Sequence, residues 1–144
     1  SWRQTMTIEV NPRNASENNL EALERGRAYC AAHHPHLEAA LADRYDARLP
    51  GFSQSLVEWA YGRHYSRGGV DAKTRQLATI AALTALGGQT APQLKINIEH
   101  SLAVGATERE IVEIIWQMAV YGGLPAAING LNAAMDVFDA QNEQ

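Results

Sequence analysis

Residues 107–119 read TEREIVEIIWQMA, and this stretch decides the fold class. Thr107 followed three residues later by Glu110 is the sequence form of a capping box. The hydroxyl accepts from the amide of the third helical residue, and the carboxylate accepts from the amide of the cap. Ile111, Ile114, Ile115, Met118 and Ala119 then recur at three- and four-residue steps, the period of a helix and not of a strand. Upstream, Thr90-Ala91-Pro92 opens a helix with Leu94, Ile98 and Leu102 on one face and Gly105 just past its end. Before that, Asp71 can cap a helix whose Leu77, Ile80, Ala81, Leu83 and Thr84 face inward, and Gly87-Gly88 stops it. Downstream, Tyr121-Gly122-Gly123-Leu124-Pro125 breaks the pattern. Leu124, Ile128, Leu131, Met135 and Phe138 then mark the apolar stripe of a last helix. Around that stripe stand Ala126, Ala127, Gly130, Ala133 and Ala134. Residues this small let another helix approach closely, which motivates an oligomer; the plainer reading is that alanines are good helix formers.

The N-terminal half follows the same period. Asn14, Glu17, Leu20, Leu23, Arg27 and Cys30 run along a first helix that ends near His33-His34-Pro35. Leu37, Ala40, Leu41 and Tyr45 form a short second helix closed by Leu49-Pro50-Gly51. Phe52, Leu56, Trp59, Ala60 and Tyr65 form a third, ending in Ser66-Arg67-Gly68-Gly69. β-branched alternation is almost absent. The expectation is an all-α chain of six or seven helices in one compact domain, with N-terminal helices over 1–50 and a helical core over 51–144. Ser1 to Thr5 carries no functional weight.

Twelve Lys and Arg against sixteen Asp and Glu leave a formal charge of −4 over 144 residues, with no basic run. Nucleic acid is not an expected partner. Apolar stretches break before the ~20 residues a span needs, and the N-terminus has no charged-then-apolar leader, so no membrane role and a cytoplasmic location are expected. Cys30 is the only cysteine and cannot form an internal disulfide; it reads as a small apolar core residue, and Trp59 and Trp116 also read as core. His33-His34-Pro35-His36 invites a metal reading. Adjacent histidines across a proline point apart and no HExxH or Cys-His spacing supports them, so no metal is expected.

From Glu58 to Phe138 several strings stand in a recognisable order. They are Tyr65-Ser66-Arg67-x-Gly69-x-Asp71-x-Lys73-x-Arg75, Ala81-x-Leu83-Thr84-Ala85-Leu86-Gly87-Gly88, and Pro92-Gln93-Leu94-Lys95. Gly105-Ala106-Thr107-x-x-Glu110-Ile111-x-Glu113 and Gln117-Met118-Ala119-x-Tyr121-x-Gly123-x-Pro125-Ala126-Ala127 follow. Together they resemble the carboxymuconolactone decarboxylase family, which also holds the AhpD-like alkylhydroperoxidases. The resemblance implies an AhpD-like all-helical fold, assembly as a homo-oligomer, either trimer or hexamer, and pockets near subunit contacts. Thiol-dependent members carry Cys-x-x-Cys-x-x-x-His where this chain has Thr90, Gln93 and Asn97, so a dithiol peroxidase loses its nucleophile and its resolving thiol. Decarboxylase members usually show a histidine at the position of Asn97 and often an acid at that of Arg63. His64 and His100 stand close by in sequence.

The family reaction removes CO2 from a carboxylated γ-lactone whose carbonyl receives the electrons, so no cofactor is required. The protein supplies cations for the retained carboxylate, donors for the enolate oxygen and an acid for carbon. Arg67 and Arg75 are the expected carboxylate holders, with His64 and Gln117 as further substrate contacts. His100 is the expected acid, and Asn97 and Tyr121 the expected oxyanion donors. The expected partner is a small carboxylate substrate. A second class of reading is a small-acid-binding oligomer without catalysis.

Overall fold

The structure, a computed structural model, describes residues 12–143, with side chains described from Leu20 onward. Asn14 and Glu17 of the expected first stripe lie outside the described side chains, and Ser1 to Thr5 outside the described residues. Every regular element among the described residues is helical, as the sequence period requires, and the chain groups into two units, 1–68 and 69–144. None of the helices is long and apolar enough to cross a membrane.

The first unit holds α1 (Pro12–His33), α2 (Leu37–Leu41), which runs on as a π-turn over Ala42–Asp46, and α3 (Phe52–Leu56), which runs on as a π-helix over Val57–Tyr65. Leu23, Cys30, Val57 and Tyr61 form its buried centre, with Tyr29, Leu37 and Leu56 packed around them. Asp46 fixes the entry to α3 by accepting from the Ser53 amide at 2.9 Å and from its hydroxyl at 2.6 Å. α1 and α3 touch backbone to backbone. A Cβ on Gly26 would lie 2.3 Å from Val57 O, and one on Gly62 would lie 1.9 Å from Ala22 O, so only glycine fits at either place. Both contacts fall on the π-wound stretch of α3, with Gly26 also 3.0 Å from Gly62 N by the same measure. They are four residues apart on α1 (Ala22 and Gly26) and five apart on α3 (Val57 and Gly62). A π-helix closes the wider i to i+5 ring, and the Ser66 amide accordingly reaches Tyr61 O at 3.2 Å.

The second unit holds α4 (Ala72–Leu86), a 3₁₀ turn (Gly88–Thr90), α5 (Ala91–Ala103), α6 (Glu108–Gln117), the short α7 (Ala119–Gly122) and α8 (Leu124–Asn142). Asp71 caps α4 through the Thr74 amide at 2.7 Å, and Thr107 with Glu110 closes the capping box of α6 with both bonds at 3.0 Å. Ile80, Leu94, Ile98, Ile111, Ile115, Val137 and Phe138 fill the centre. The helical stripes are rotated in places from the sequence expectation. On α4 the buried series is Gln76, Ile80 and Thr84, while Leu77 and Leu83 pack at its edge. On α5 Ser101 takes the innermost place next to Ile98, and Leu102 is only partly buried.

α8 corrects the expectation in part, Phe138 being buried and Leu131 packing against the core as expected. Its small residues Ala126, Ala127, Gly130, Ala133 and Ala134 face the core, and Leu124, Ile128 and Met135 are exposed. The helix packs on α4, α5 and α6 together, which only a narrow face allows: a Cβ on Gly130 would stand 2.9 Å from the Cγ2 methyls of both Ile115 and Thr84. Trp59 and Trp116 also depart from the core reading, being 61% and 53% exposed. Each sits on the outer face of its helix, where Val57 and Tyr61 on α3, and Ile111 and Ile115 on α6, already supply the inner stripe.

Candidate active site

The α4–α5 hairpin positions most of the expected catalytic residues. The Thr90 hydroxyl donates to Leu83 O and Gly87 O, tying the start of α5 to the end of α4. His100 lies ten residues further along α5, and Arg75 stands in the first turn of α4. Lys95 forms an ion pair with Asp136 of α8 at 3.0 Å, and Asn97, about 200° further round α5, therefore looks to the opposite edge. Arg75 Nε, Gln76 Oε1 and His100 Nδ1 are all buried atoms.

Asn97 Nδ2 donates to Gln93 O at 2.8 Å, one turn back on the same helix, leaving its carbonyl oxygen and its second N–H to act. The Asn97 backbone carbonyl in turn receives the Ser101 hydroxyl at 2.7 Å. Gln117 lies elsewhere, in a cleft of about 380 Å³ lined by Leu77, Arg109, Glu110, Glu113, Ile114 and Trp116. Its charges are matched internally: Arg109 pairs with Glu113 at 2.9 Å, and Lys73 with Glu110 at 2.9 Å. Tyr121 is 76% exposed on α7. Its neighbour Gly122 abuts Ala85, ten residues and so roughly 15 Å along α4 from Arg75. The hairpin carries Arg75 on α4 and Asn97 and His100 about one turn apart on α5, and Tyr121 stands towards the other end of α4 from Arg75.

In the first unit, the π-winding of α3 sets the side chains that depart from the family pattern. Arg63 Nε donates to Glu58 Oε1 at 2.6 Å, and the rings of Trp59 and His64 meet edge to face with centroids 4.3 Å apart. Arg67 is exposed just beyond the helix. Tyr61 and Tyr65 stack at 5.2 Å, and Tyr29 and His34 join the same aromatic cluster. Burial, with His33 adding a like charge, depresses the His34 imidazole below its ordinary range. Among the described residues, no three His, Cys, Asp or Glu side chains gather as a metal would need.

Cys30 is buried beside Tyr61, and burial pushes its thiol up to about 11, so it is a poor nucleophile. Thr90 and Gln93, at the positions of the missing cysteines, tie the hairpin and face solvent respectively. Sequence reading passed over Gln76, which is 2% exposed with Oε1 lacking a hydrogen-bond partner among the described residues. The signal was present as a glutamine at the head of the i, i+4, i+8 series that continues with Ile80 and Thr84.

The carboxymuconolactone decarboxylase family model matches residues 50–136. The chain is 37% identical over 124 residues to an uncharacterized 15.0 kDa protein of Paracoccus denitrificans, covering 86% of this chain and 92% of that one. It is 34% identical over 87 residues to 4-carboxymuconolactone decarboxylase of Acinetobacter baylyi, covering 60% and 63% of the two chains. It is 31% identical over 96 residues to nitrosuccinic acid decarboxylase npaB of Metarhizium robertsii, covering 67% and 65%. The match therefore spans a little under two thirds of each named decarboxylase. With the family model running from the start of α3 into α8, over more than half its length, the chain belongs to the carboxymuconolactone decarboxylase family.

Proposed function

We propose that the chain is a cofactor-free carboxy-lyase for a small acid that keeps one carboxylate and loses another. The relatives' names support this through the chemistry of the two compounds. In carboxymuconolactone the lactone carbonyl accepts the electron pair released with CO2, and in nitrosuccinic acid a nitro group does so. Each substrate carries its own electron sink, and each retains a carboxylate for the protein to hold. The observation that carries the reading to this chain is the family match over residues 50–136, which includes Arg75 on α4 and Asn97 and His100 on α5.

Residue roles follow from that chemistry. The C–C bond to the departing carboxylate breaks, its electron pair enters the conjugated system, and negative charge collects on oxygen. The guanidinium of Arg75 holds the retained carboxylate through its planar fork, and the second Asn97 N–H donates to the developing oxyanion. His100 delivers a proton to carbon and recovers it from solvent. Arg67 and His64, on the first unit, are assigned to carboxylate binding as well, and Gln117 and Tyr121 to further polar contacts with the substrate. The decisive experiment follows CO2 release and substrate loss with 4-carboxymuconolactone in the wild type and in His100→Ala. Turnover should fall on the order of a hundredfold in the variant. Equal turnover removes His100 from the mechanism. A folded wild type that releases no CO2 overturns the lyase reading, and a ligand-induced rise in Tm without product would then identify a small-acid-binding protein.

A further inference from the structure

Residues five apart on an α-helix point about 140° away from one another and do not meet. On α3 two such pairs do meet, Glu58 with Arg63 at 2.6 Å and Trp59 with His64 at 4.3 Å between centroids. The π-winding of Val57–Tyr65, which packs backbone to backbone on α1, brings each pair onto one face. Trp59 is 61% exposed, so its indole does not serve the core, and His64 is exposed beside it. A large aromatic side chain left in solvent against an imidazole restricts that imidazole's rotation while leaving its outer edge open.

We infer that Trp59 is a positioning residue for His64, its ring contact holding the imidazole as a preset donor to the carboxylate of a small planar acid. This rests on the assignment of His64 to carboxylate binding under the proposed function. Two features favour a planar unsaturated acid over a flexible one. The indole face accepts a flat ring by van der Waals contact, and an imidazole held in one rotamer loses less freedom when it meets an anion. Glu58 engages Arg63 on the neighbouring face, so the carboxylate on this helix already has a cation and does not compete for His64.

The test uses the whole chain with labelled histidines, assigning the His64 ring resonance with His64→Gln. The indole ring current should shift that resonance in the wild type, and Trp59→Leu should return it towards the other exposed histidines. Titration with furan-2-carboxylate should move it saturably, and furan-2-carboxamide should not. Affinity for the carboxylate should fall roughly fivefold in Trp59→Leu and recover in Trp59→Phe, which keeps an aromatic edge contact. A His64 resonance indifferent to Trp59→Leu, an unchanged affinity in that variant, or no saturable shift in the wild type overturns the inference. A shift that tracks protein concentration instead of ligand overturns it in favour of a contact between chains. CO2 release from 4-carboxymuconolactone separates the two proposals. Furan-2-carboxylate recognition without CO2 release sinks the lyase reading alone, and CO2 release with an unchanged KM in Trp59→Leu sinks the positioning role alone.

Discussion

Gly130→Ala puts the packing of α8 to a quantitative test. The new methyl would stand 2.9 Å from Ile115 Cγ2 and 2.9 Å from Thr84 Cγ2, whereas carbon atoms pack comfortably at about 3.5–4.0 Å. Both neighbours are fully or almost fully buried, on α6 and α4, so neither methyl can swing into solvent. Relief must come from moving α8 outward by several tenths of an ångström, and overpacking of this kind costs about 1–3 kcal/mol. Against it stands the roughly 1 kcal/mol that alanine gains over glycine inside a helix. The expected balance is a destabilisation of roughly 0–2 kcal/mol, at about 4–8 °C in Tm per kcal/mol for a unit of this size. Urea denaturation and thermal scans followed by circular dichroism would read it. A raised midpoint would refute the close packing and return the small residues of α8 to the role of simple helix formers.

Three further outcomes follow from buried groups. With its thiol near 11, Cys30 carries roughly one thiolate in a thousand at pH 8; alkylation should be slow in the folded protein and accelerate in urea, and a rate equal to that of free cysteine would contradict the burial. His34 is depressed in the folded state, so the unfolded chain takes up the proton first. Its stabilisation is complete above about pH 6.5 and is lost as the pH falls through that value, and His34→Gln should flatten the urea midpoint between pH 8 and 5. Thr84→Val exchanges a 2%-exposed hydroxyl that lacks a partner among the described residues for a methyl, and should raise stability by about 1 kcal/mol; a loss of similar size would show that the hydroxyl is bonded in solution.

What the sequence could reveal depended on whether the signal was local. The capping box at Thr107 and Glu110, the Asp71 cap and the glycine stops involve residues within one turn of each other, and the structure has them where the spacing put them. The inner face of α8 was misread because hydrophobicity scales favour Leu124, Ile128 and Met135, while the burial of Ala126, Ala127 and Gly130 follows from a three-sided environment that one helix's sequence does not encode. Gln76 escaped for a related reason, since a polar residue at the stripe's edge reads as surface until neighbouring helices are in place. Among the site residues, the sequence itself places Asn97 and His100 about one turn apart on one helix, whereas the separation of the Tyr121 segment from Arg75 along α4 is tertiary, and motif order carries no information on it.

The winding of α3 bears on how this chain tolerates changes in length. Its contacts with α1 pin Val57 and Gly62 and leave a helix with one residue more than the span between the pins holds in ordinary coils. Such a helix has the form of a single-residue insertion absorbed in place instead of being extruded as a loop. Removing one residue between the pins would leave both contacts intact and give back the usual winding. The stretch from Glu58 to Ala60, short of the buried Tyr61, is therefore where a deletion of one residue should cost the first unit least, an inversion of the rule that loops accept such changes and helices reject them.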